Sequence, residues 1–275
     1  MKFTALTDQQ RRTFDENGYL VVPEALDRNS IERLIEVCDR FMETQGPIHN
    51  YYANRYVDMT LDASLIALAT NPLTTPLVVQ LMAPDLRLMR THLMYKYPQP
   101  PSDTPIYPDG DGRSFRNWHR DLNNFAPNHP IRNTVAIRIG YCLTDFTQPN
   151  SGMTLLVPGS HKLVEPLQFK KGALDPPEFV ELQLKAGDAY LFSVGLYHTP
   201  AINFTDTVAR GLLVSYAYSW WSHTHPVPDE GILNGMDDLT AQLFGRPADG
   251  DQTPLKVWAR QHGLPADDPP MRVFV

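Results

Sequence analysis

In Trp118-His119-Arg120-Asp121 a histidine and an aspartate stand two residues apart. On extended backbone the side chains of residues i and i+2 point to the same face, so His119 and Asp121 can offer an imidazole nitrogen and a carboxylate oxygen to one metal ion. A third ligand must come from elsewhere. His198, in Tyr197-His198-Thr199-Pro200 after a strand-like run, is the best candidate. Two histidines and one carboxylate cover one face of a metal and leave positions open, the donor set of non-haem Fe(II) centres. Taken alone, H-x-D reads equally well as two surface side chains bonded to each other. Arg210 adds context, lying near the start of the apolar run Val208-Ala209-Arg210-Gly211-Leu212-Leu213-Val214. A guanidinium directed into a protein interior needs an anion, because an unpaired buried charge is costly. A dicarboxylate meets that need through a bidentate, charge-assisted pair.

The elements that must hold these residues follow from periodicity and punctuation. The first third reads helical. Thr7-Asp8-Gln9-Gln10 has the pattern of a capping box, which predicts a helix to about Asn17 that stops at Gly18. Tyr19-Leu20-Val21-Val22 reads as a short buried strand closed by Pro23. From Ser30 to Met42 the apolar positions Ile31, Leu34, Ile35, Cys38 and Phe41 or Met42 recur at helical spacing. Two shorter helices, 61–70 and 75–82, are split by Asn71-Pro72. After Pro84 the texture changes, and 86–97, 134–144, 153–157, 179–184, 188–194 and 208–219 read as strands bounded by Pro, Gly and Asp. Many short strands with no helical pattern between them predict an antiparallel barrel or jelly roll rather than a parallel sheet. Residues 98–113 form a long Pro/Gly/Asp loop, of the kind that serves as a lid or stays disordered. Beyond His225, proline turns alternate with weak helical patterns at 236–244 and 254–262. The expected organisation is one domain: a helical flank over 1–84, a β core with the metal site over 85–222, and an irregular cover over 223–275.

Composition narrows the function classes. The 275 residues, with 42% hydrophobic and 10% aromatic content, can bury a core without staples and exclude disorder. Twenty-four basic against 31 acidic side chains give a net charge of −7, which argues against a general nucleic-acid partner. Cys38 and Cys142 are too few for a disulfide framework or a four-cysteine zinc site, so a reducing compartment is expected. No apolar run approaches membrane-spanning length. The opening MKFTALTDQQRRTF lacks a signal-peptide core, and Met271-Arg272-Val273-Phe274-Val275 is no peroxisomal address. A cytoplasmic protein with no membrane partner is the expectation; nothing separates monomer from homo-oligomer. There is no nucleophile elbow, phosphate-binding P-loop or dinucleotide fingerprint.

Two further stretches make the pattern specific. Asn117-Trp118-His119-Arg120-Asp121-Leu122 is followed by Asn150-Ser151-Gly152-Met153-Thr154-Leu155-Leu156-Val157-Pro158-Gly159-Ser160-His161-Lys162, and then by His198 and Arg210. This succession resembles the phytanoyl-CoA dioxygenase (PhyH) family, whose second block reads approximately N-G-x(5)-P-G-S-H. Phe14-Asp15-Glu16-Asn17-Gly18-Tyr19-Leu20-Val21-Val22 is similar to the family's opening helix and strand, so the resemblance covers about 7–219. It implies a mainly β, cupin-like double-stranded β-helix (jelly roll) and a dioxygenase using Fe(II), 2-oxoglutarate and O₂. Under it, His119, Asp121 and His198 are the iron ligands and catalytic centre. Arg210 pairs with the distal carboxylate of 2-oxoglutarate, and the Thr154 hydroxyl bonds the same co-substrate. In the family the arginine usually follows the distal histidine by eleven residues; here the spacing is twelve, and an extra residue in the turn 203–208 would absorb the difference. Pro200 stands where the family often has a hydroxyl, so Thr199 is the expected substitute. The implied reaction oxidises, most often hydroxylates, an unactivated C–H of a small-molecule metabolite and releases succinate and CO₂. A biosynthetic intermediate of a natural product is one candidate substrate. Asp121 favours oxygenation, since related halogenases carry a small residue there to admit chloride.

The residues also leave other readings open. A non-redox cupin-like protein could use the same triad for isomerisation, hydrolysis or ligand capture, and would have no need of Arg210. An inactive relative acting as a partner subunit is a third reading, against which the intact triad counts. His92 and Lys96 share one strand face, and either line the co-substrate pocket or serve as a bonded core histidine and a rim lysine. His161 is expected to have a turn role, and the His223-x-His225 pair lacks an acidic third ligand. Arg116 and Arg120 either face an anionic substrate or lie on a solvated edge. Trp118 is expected in the core, while Trp220 and Trp221 either wall an apolar pocket or pack under the C-terminal cover. Substrate choice is expected to rest on the 98–116 loop, the N-terminal helices and that cover.

Overall fold

Thr7 starts the first helix as its pattern predicts. Its hydroxyl accepts from the Gln10 N–H while the Gln10 side chain accepts from the Thr7 N–H, opening α1 (Asp8–Asn17). Gly18 ends α1 at φ 81°, and a Cβ there would lie 2.5 Å from His161 Nδ1, so left-handed backbone and close approach both demand glycine. β1 (Tyr19–Val22) leaves directly from this cap. The Asn17 carbonyl accepts from Gly159 N–H and the Gly18 carbonyl from Ser193 N–H, which ties the cap to two distant turns. α2 (Arg28–Glu43), capped by Asp27, buries Leu34, Val37, Cys38 and Met42. The predicted 61–70 helix is shorter, α3 (Ala63–Leu68), because Asp62 caps it onto the Ser64 N–H after a 3-10 turn at Met59–Leu61. Asn71 accepts from the Leu73 and Thr74 N–H groups and so turns the chain into α4 (Thr75–Leu81).

The computed structural model describes residues 1–46, 52–99, 117–121, 134–163, 165–171, 173, 175–221, 226–247 and 250–266. Most of the 98–113 loop, together with Arg116, His223 and His225, lies outside them. The remaining strands are β2 (Tyr52–Tyr56), β3 (Leu86–Lys96), β4 (Ala136–Cys142), β5 (Thr154–Leu156), β6 (Val180–Glu181), β7 (Ala189–Ser193), β8 (His198–Pro200) and β9 (Ala209–Tyr218). They form two antiparallel sheets, ordered β1-β7-β4-β9-β3-β2 and β6-β5-β8. Every strand read from sequence is present; Tyr19–Val22 keeps its full length, the others are somewhat trimmed, and 179–184 shrinks to two residues. β2, which sequence did not reveal, is weakly patterned and exists by pairing with β3. Short α5 (Glu230–Asn234) was also unmarked, whereas α6 (Asp238–Leu243) and α7 (Pro254–Gln261) fall within the expected ranges. No described helix is long and apolar enough to cross a membrane.

The large sheet is covered on both faces. Leu93, Tyr95, Ile139, Tyr141, Val214 and Tyr216 join the helices in the main core. Cys142, Tyr190, Phe192 and Leu213 pack instead against Met153 and Leu156 of the small-sheet side. Cys38 and Cys142 are free thiols buried in different clusters. The faces of β3 are sorted by an irregularity: Leu88 pairs with Tyr216 but Arg90 with Ser215, which leaves Met89 as an extra residue. Such a bulge resets the alternation. Leu86 and Leu88 therefore share the helix face with Leu93 and Tyr95, while His92, Met94 and Lys96 face the small sheet.

At the centre, Gly140 of β4 lies under the Tyr190 ring, and a Cβ there would fall 2.2 Å from Tyr190 Cε1. Overpacking of this kind usually costs about 1–3 kcal/mol. Gly140→Ala is expected to lower the urea midpoint by that order at unchanged slope. A midpoint within error of wild type would show that Tyr190 moves aside freely.

Candidate active site

The three metal-type side chains are brought together by backbone pairing. His119 N–H donates to the His198 carbonyl and His198 N–H to that of His119, both at 3.0 Å, a single antiparallel bridge. Asp121 N–H donates to the Val194 carbonyl at 3.0 Å, which anchors the other end of the H-x-D segment. His119 Nε2 lies 3.9 Å from Asp121 Oδ1, His198 Nε2 lies 3.8 Å from Asp121 Oδ2, and ligand atoms of all three residues fall within 4.8 Å of one another. Donors about 2.0–2.2 Å from one ion and sharing one face of it lie roughly 3–3.5 Å apart, so the set must draw in by several tenths of an ångström or more to hold one ion.

Tautomer and charge are set for ligation. His119 Nδ1 is 2.6 Å from the Asn117 carbonyl, and His198 Nδ1 is 2.9 Å from that of Leu196. A carbonyl only accepts, so each ring carries its proton on Nδ1 and offers the Nε2 lone pair to the site. Burial pushes the His198 pKa down to about 4, against the opposing pull of Asp121, which leaves the ring neutral at physiological pH. Arg138 of β4, not singled out from sequence, is buried with its Nε 2.8 Å from Asp121 Oδ2. Its signal was an arginine inside the apolar run Val135-Ala136-Ile137-Arg138-Ile139; buried arginines are rare unless paired.

A small, mostly apolar pocket lies between the two sheets and is linked to His198 through aromatic contacts. The Phe192 ring meets His198 edge-on at 5.1 Å and stacks with Tyr190 at 5.8 Å. Tyr190 Oη donates to Thr154 Oγ1 at 2.9 Å. Thr154 lines this pocket together with Met94, Lys96, Gly152 and Gly211.

Arg210 does not face it. Its Nε and Nη2 contact the two carboxylate oxygens of Asp39 on α2 at 2.9 and 3.0 Å, and its guanidinium lies over the Tyr95 ring at 5.5 Å. The expectation of an inward guanidinium fails on strand parity. Ala209 and Gly211 point to the pocket side of β9, and Arg210 between them points to the helices. With Arg210 on Asp39, the turn 203–208 has not brought it to the pocket side; within that turn Asn203 donates to the Thr207 carbonyl and accepts from Thr205 N–H. Thr199 alternates in the same way. It lies between His198 and Pro200, pairs with Leu155 and is fully buried on the opposite face, so it too is turned from the pocket.

The other singled-out residues take mostly structural positions. His161 Nε2 reaches the Asp15 carbonyl under the α1 cap. Arg120 donates to the Ser160 and Leu163 carbonyls and stacks on Tyr197. Trp118 Nε1 donates to Asp175, Trp221 packs on the Met89–Ala217 cluster, and Trp220 is exposed. His92 faces the pocket side, with Nδ1 2.6 Å from Asn54 Oδ1 and a pKa pushed down to about 4 by burial.

Two outcomes are expected. The Arg210–Asp39 pair is partly exposed, so Arg210→Ala and Asp39→Ala should each cost on the order of 1 kcal/mol, with the double variant costing less than the sum; denaturant titration of the cycle checks this. In the metal-free protein the unfolded His198 takes up a proton near pH 6.5 and the folded one only near 4. That contribution to stability is whole above about pH 6.5 and is lost as pH falls through 4. Melting curves should therefore show His198→Gln losing less stability than wild type between pH 7 and 4.5.

The family model for phytanoyl-CoA dioxygenase (PhyH) matches residues 14–211. Dioxygenase olcK of Penicillium canescens is 26% identical over 150 residues, covering 54% of this chain and 43% of that protein. Dioxygenase trt7 of Aspergillus terreus is 31% identical over 140 residues, covering 49% and 47%. Human peroxisomal phytanoyl-CoA dioxygenase is 23% identical over 244 residues, covering 77% and 68%. The matched part thus spans about half the length of the two fungal relatives. Among solved structures, HygX from Streptomyces hygroscopicus with nickel and 2-oxoglutarate bound aligns at TM-score 0.62 and 18% identity, covering 80% of this chain and 90% of that one. The α-ketoglutarate-dependent carbocyclase SnoK from nogalamycin biosynthesis aligns at 0.59 and 19%, covering 89% and 94%. The two structural likenesses show a common fold, and because the family match runs from α1 into β9 and takes in His119, Asp121 and His198, the chain belongs to the phytanoyl-CoA dioxygenase family.

Proposed function

We propose that the chain is an Fe(II)- and 2-oxoglutarate-dependent dioxygenase that hydroxylates an unactivated C–H of a small-molecule metabolite, its two sheets forming a double-stranded β-helix. The observation that carries this reading is the convergence of His119, Asp121 and His198, with both imidazoles held in the ligating tautomer. Iron with 2-oxoglutarate and O₂ supplies an oxidant able to take hydrogen from such a C–H, with succinate and CO₂ as co-products. His119, Asp121 and His198 hold the iron. Arg138 keeps the Asp121 carboxylate aimed, while Phe192 and Tyr190 wall the site against water. Thr154 accepts from Tyr190, so its own hydroxyl proton is directed elsewhere, onto a co-substrate oxygen.

Relatives support a small-molecule substrate. HygX has been solved with hygromycin B, and the epimerase SnoN with iron, α-ketoglutarate and nogalamycin RO. An intermediate of natural-product biosynthesis is the substrate class we favour here. The buried free thiols of Cys38 and Cys142 fit a reducing, cytoplasmic setting.

The outward turn of Arg210 favours a second reading, a metal-dependent protein of the same fold without redox chemistry. Anaerobic titration with Fe(II) and then 2-oxoglutarate separates the two. The dioxygenase reading expects a weak visible charge-transfer band, absent in His119→Ala, and succinate release once O₂ is admitted. Iron binding with neither band nor succinate leaves the second reading standing. Failure to bind iron removes both.

A further inference from the structure

A carboxylate can hold a metal ion through one oxygen or through both, and the choice fixes how many positions remain for other ligands. We infer that Arg138 is a positioning residue that limits Asp121 to one oxygen, keeping Oδ2 for itself and leaving Oδ1 to the ion; the inference rests on the metal site of the dioxygenase reading above.

The two oxygens of Asp121 have different surroundings. Oδ2 lies 2.8 Å from Arg138 Nε, whereas Oδ1 has His119 Nε2 at 3.9 Å. His198 Nε2 is 3.8 Å from Oδ2, yet an ion bound through that oxygen would set a dication against a guanidinium on the same atom. With little water to screen them, the two cations repel strongly. Ligation through Oδ1 keeps them on opposite sides of the carboxylate.

Arg138 is placed for this work. It stands in β4, a strand buried at every position, and is itself 7% exposed. On the same sheet face it pairs with Ser215 of β9 and Phe192 of β7, neither of them charged. Of the charged groups near it, Asp121 attracts and Arg90 repels. The contact with Asp121 is also unfinished. Neither Arg138 Nε nor Asp121 Oδ2 has an aligned hydrogen bond, although the two atoms are 2.8 Å apart. Asp121 N–H is fixed to the Val194 carbonyl at the end of β7, so its carboxylate can turn but not travel. The donor set has to draw in to hold one ion, and a turn of the carboxylate seats Oδ1 there while Oδ2 stays with the guanidinium.

The consequence is a count of open positions. Iron and manganese ions with oxygen and nitrogen donors take six ligands in octahedral sites. Two imidazoles and one oxygen use three, and a chelating carboxylate would use a fourth. A 2-oxo acid takes two more, so the oxygen withheld by Arg138 separates one open position from none.

Manganese(II) reports this without turnover, because it speeds the relaxation of solvent protons in proportion to the exchangeable waters it holds. Wild type should keep three waters, and 2-oxoglutarate should displace two. In Arg138→Met and Arg138→Gln the freed Oδ2 should take one more place. The relaxation enhancement should then fall by about a third, and approach the metal-free level with 2-oxoglutarate bound. Arg138→Lys, which keeps the charge, should recover part of the enhancement, and Arg210→Ala should keep all of it. Mn(II) affinity should not fall in the two neutral variants, whereas an arginine that only supports the fold would lower affinity at an unchanged water count. An enhancement equal to wild type in both neutral variants overturns the assignment, and so does loss of Mn(II) binding in both. Should wild type hold three waters that 2-oxoglutarate does not displace, the dioxygenase reading falls, while the variants still decide the role of Arg138.

Discussion

The pairing of β3 with β9 is the constraint on which the rest of the molecule depends. It is the longest ladder in the protein, running from Leu86 with Tyr218 to Lys96 with Ala209. Because side chains alternate, its register decides at once which residues meet the helices and which meet the small sheet. A slip of one residue in β9 would send Arg210 into the pocket and turn Ala209 and Gly211 away from it. The Arg210–Asp39 clamp opposes that slip by tying β9 to α2, and the bulge at Met89 lets apolar side chains stay on the helix face along the whole of β3. The wrong-looking direction of Arg210 is thus part of what keeps the pocket in order.

Much of this was legible in the residues. The Thr7 box, the Gly18 stop and the strands after Pro84 express local rules, and the structure agrees with them; it also brings His119, Asp121 and His198 together. Arg210 failed because spacing from His198 was counted along the chain, while orientation is set by parity within β9. Parity could not be read from Val208-Ala209-Arg210-Gly211-Leu212-Leu213-Val214, since a strand covered on both faces is apolar at nearly every position. Thr199 failed for the same reason. Arg138, β2 and Asp39 acquire meaning only from partners more than 15 residues away in sequence, which no local pattern contains.

The interior is unusually charged for a core so apolar. Arg138 reaches Asp121 in the middle of a strand buried at every position, and Lys96 ends its strand buried against a carbonyl. Neither arrangement is an efficient way to hold a fold together, since apolar residues of similar volume would serve as well or better. The Arg138 charge makes sense beside a carboxylate that itself belongs to a metal-type cluster.

Among the described residues, no hydrogen bond joins the Pro158-Gly159-Ser160-His161 turn to the His119, Asp121 or His198 side chain. Gly159 N–H is bonded to the Asn17 carbonyl, His161 packs under Gly18, and the Ser160 hydroxyl accepts from the Tyr197 N–H, one residue before His198. Three segments far apart in sequence therefore meet at one joint, and the third of them carries a ligand. The turn acts as a bracket: it transmits the position of the first helix to the rim of the reactive centre. Disturbing α1 should then be felt as a misplaced imidazole, at a site the helix itself never reaches.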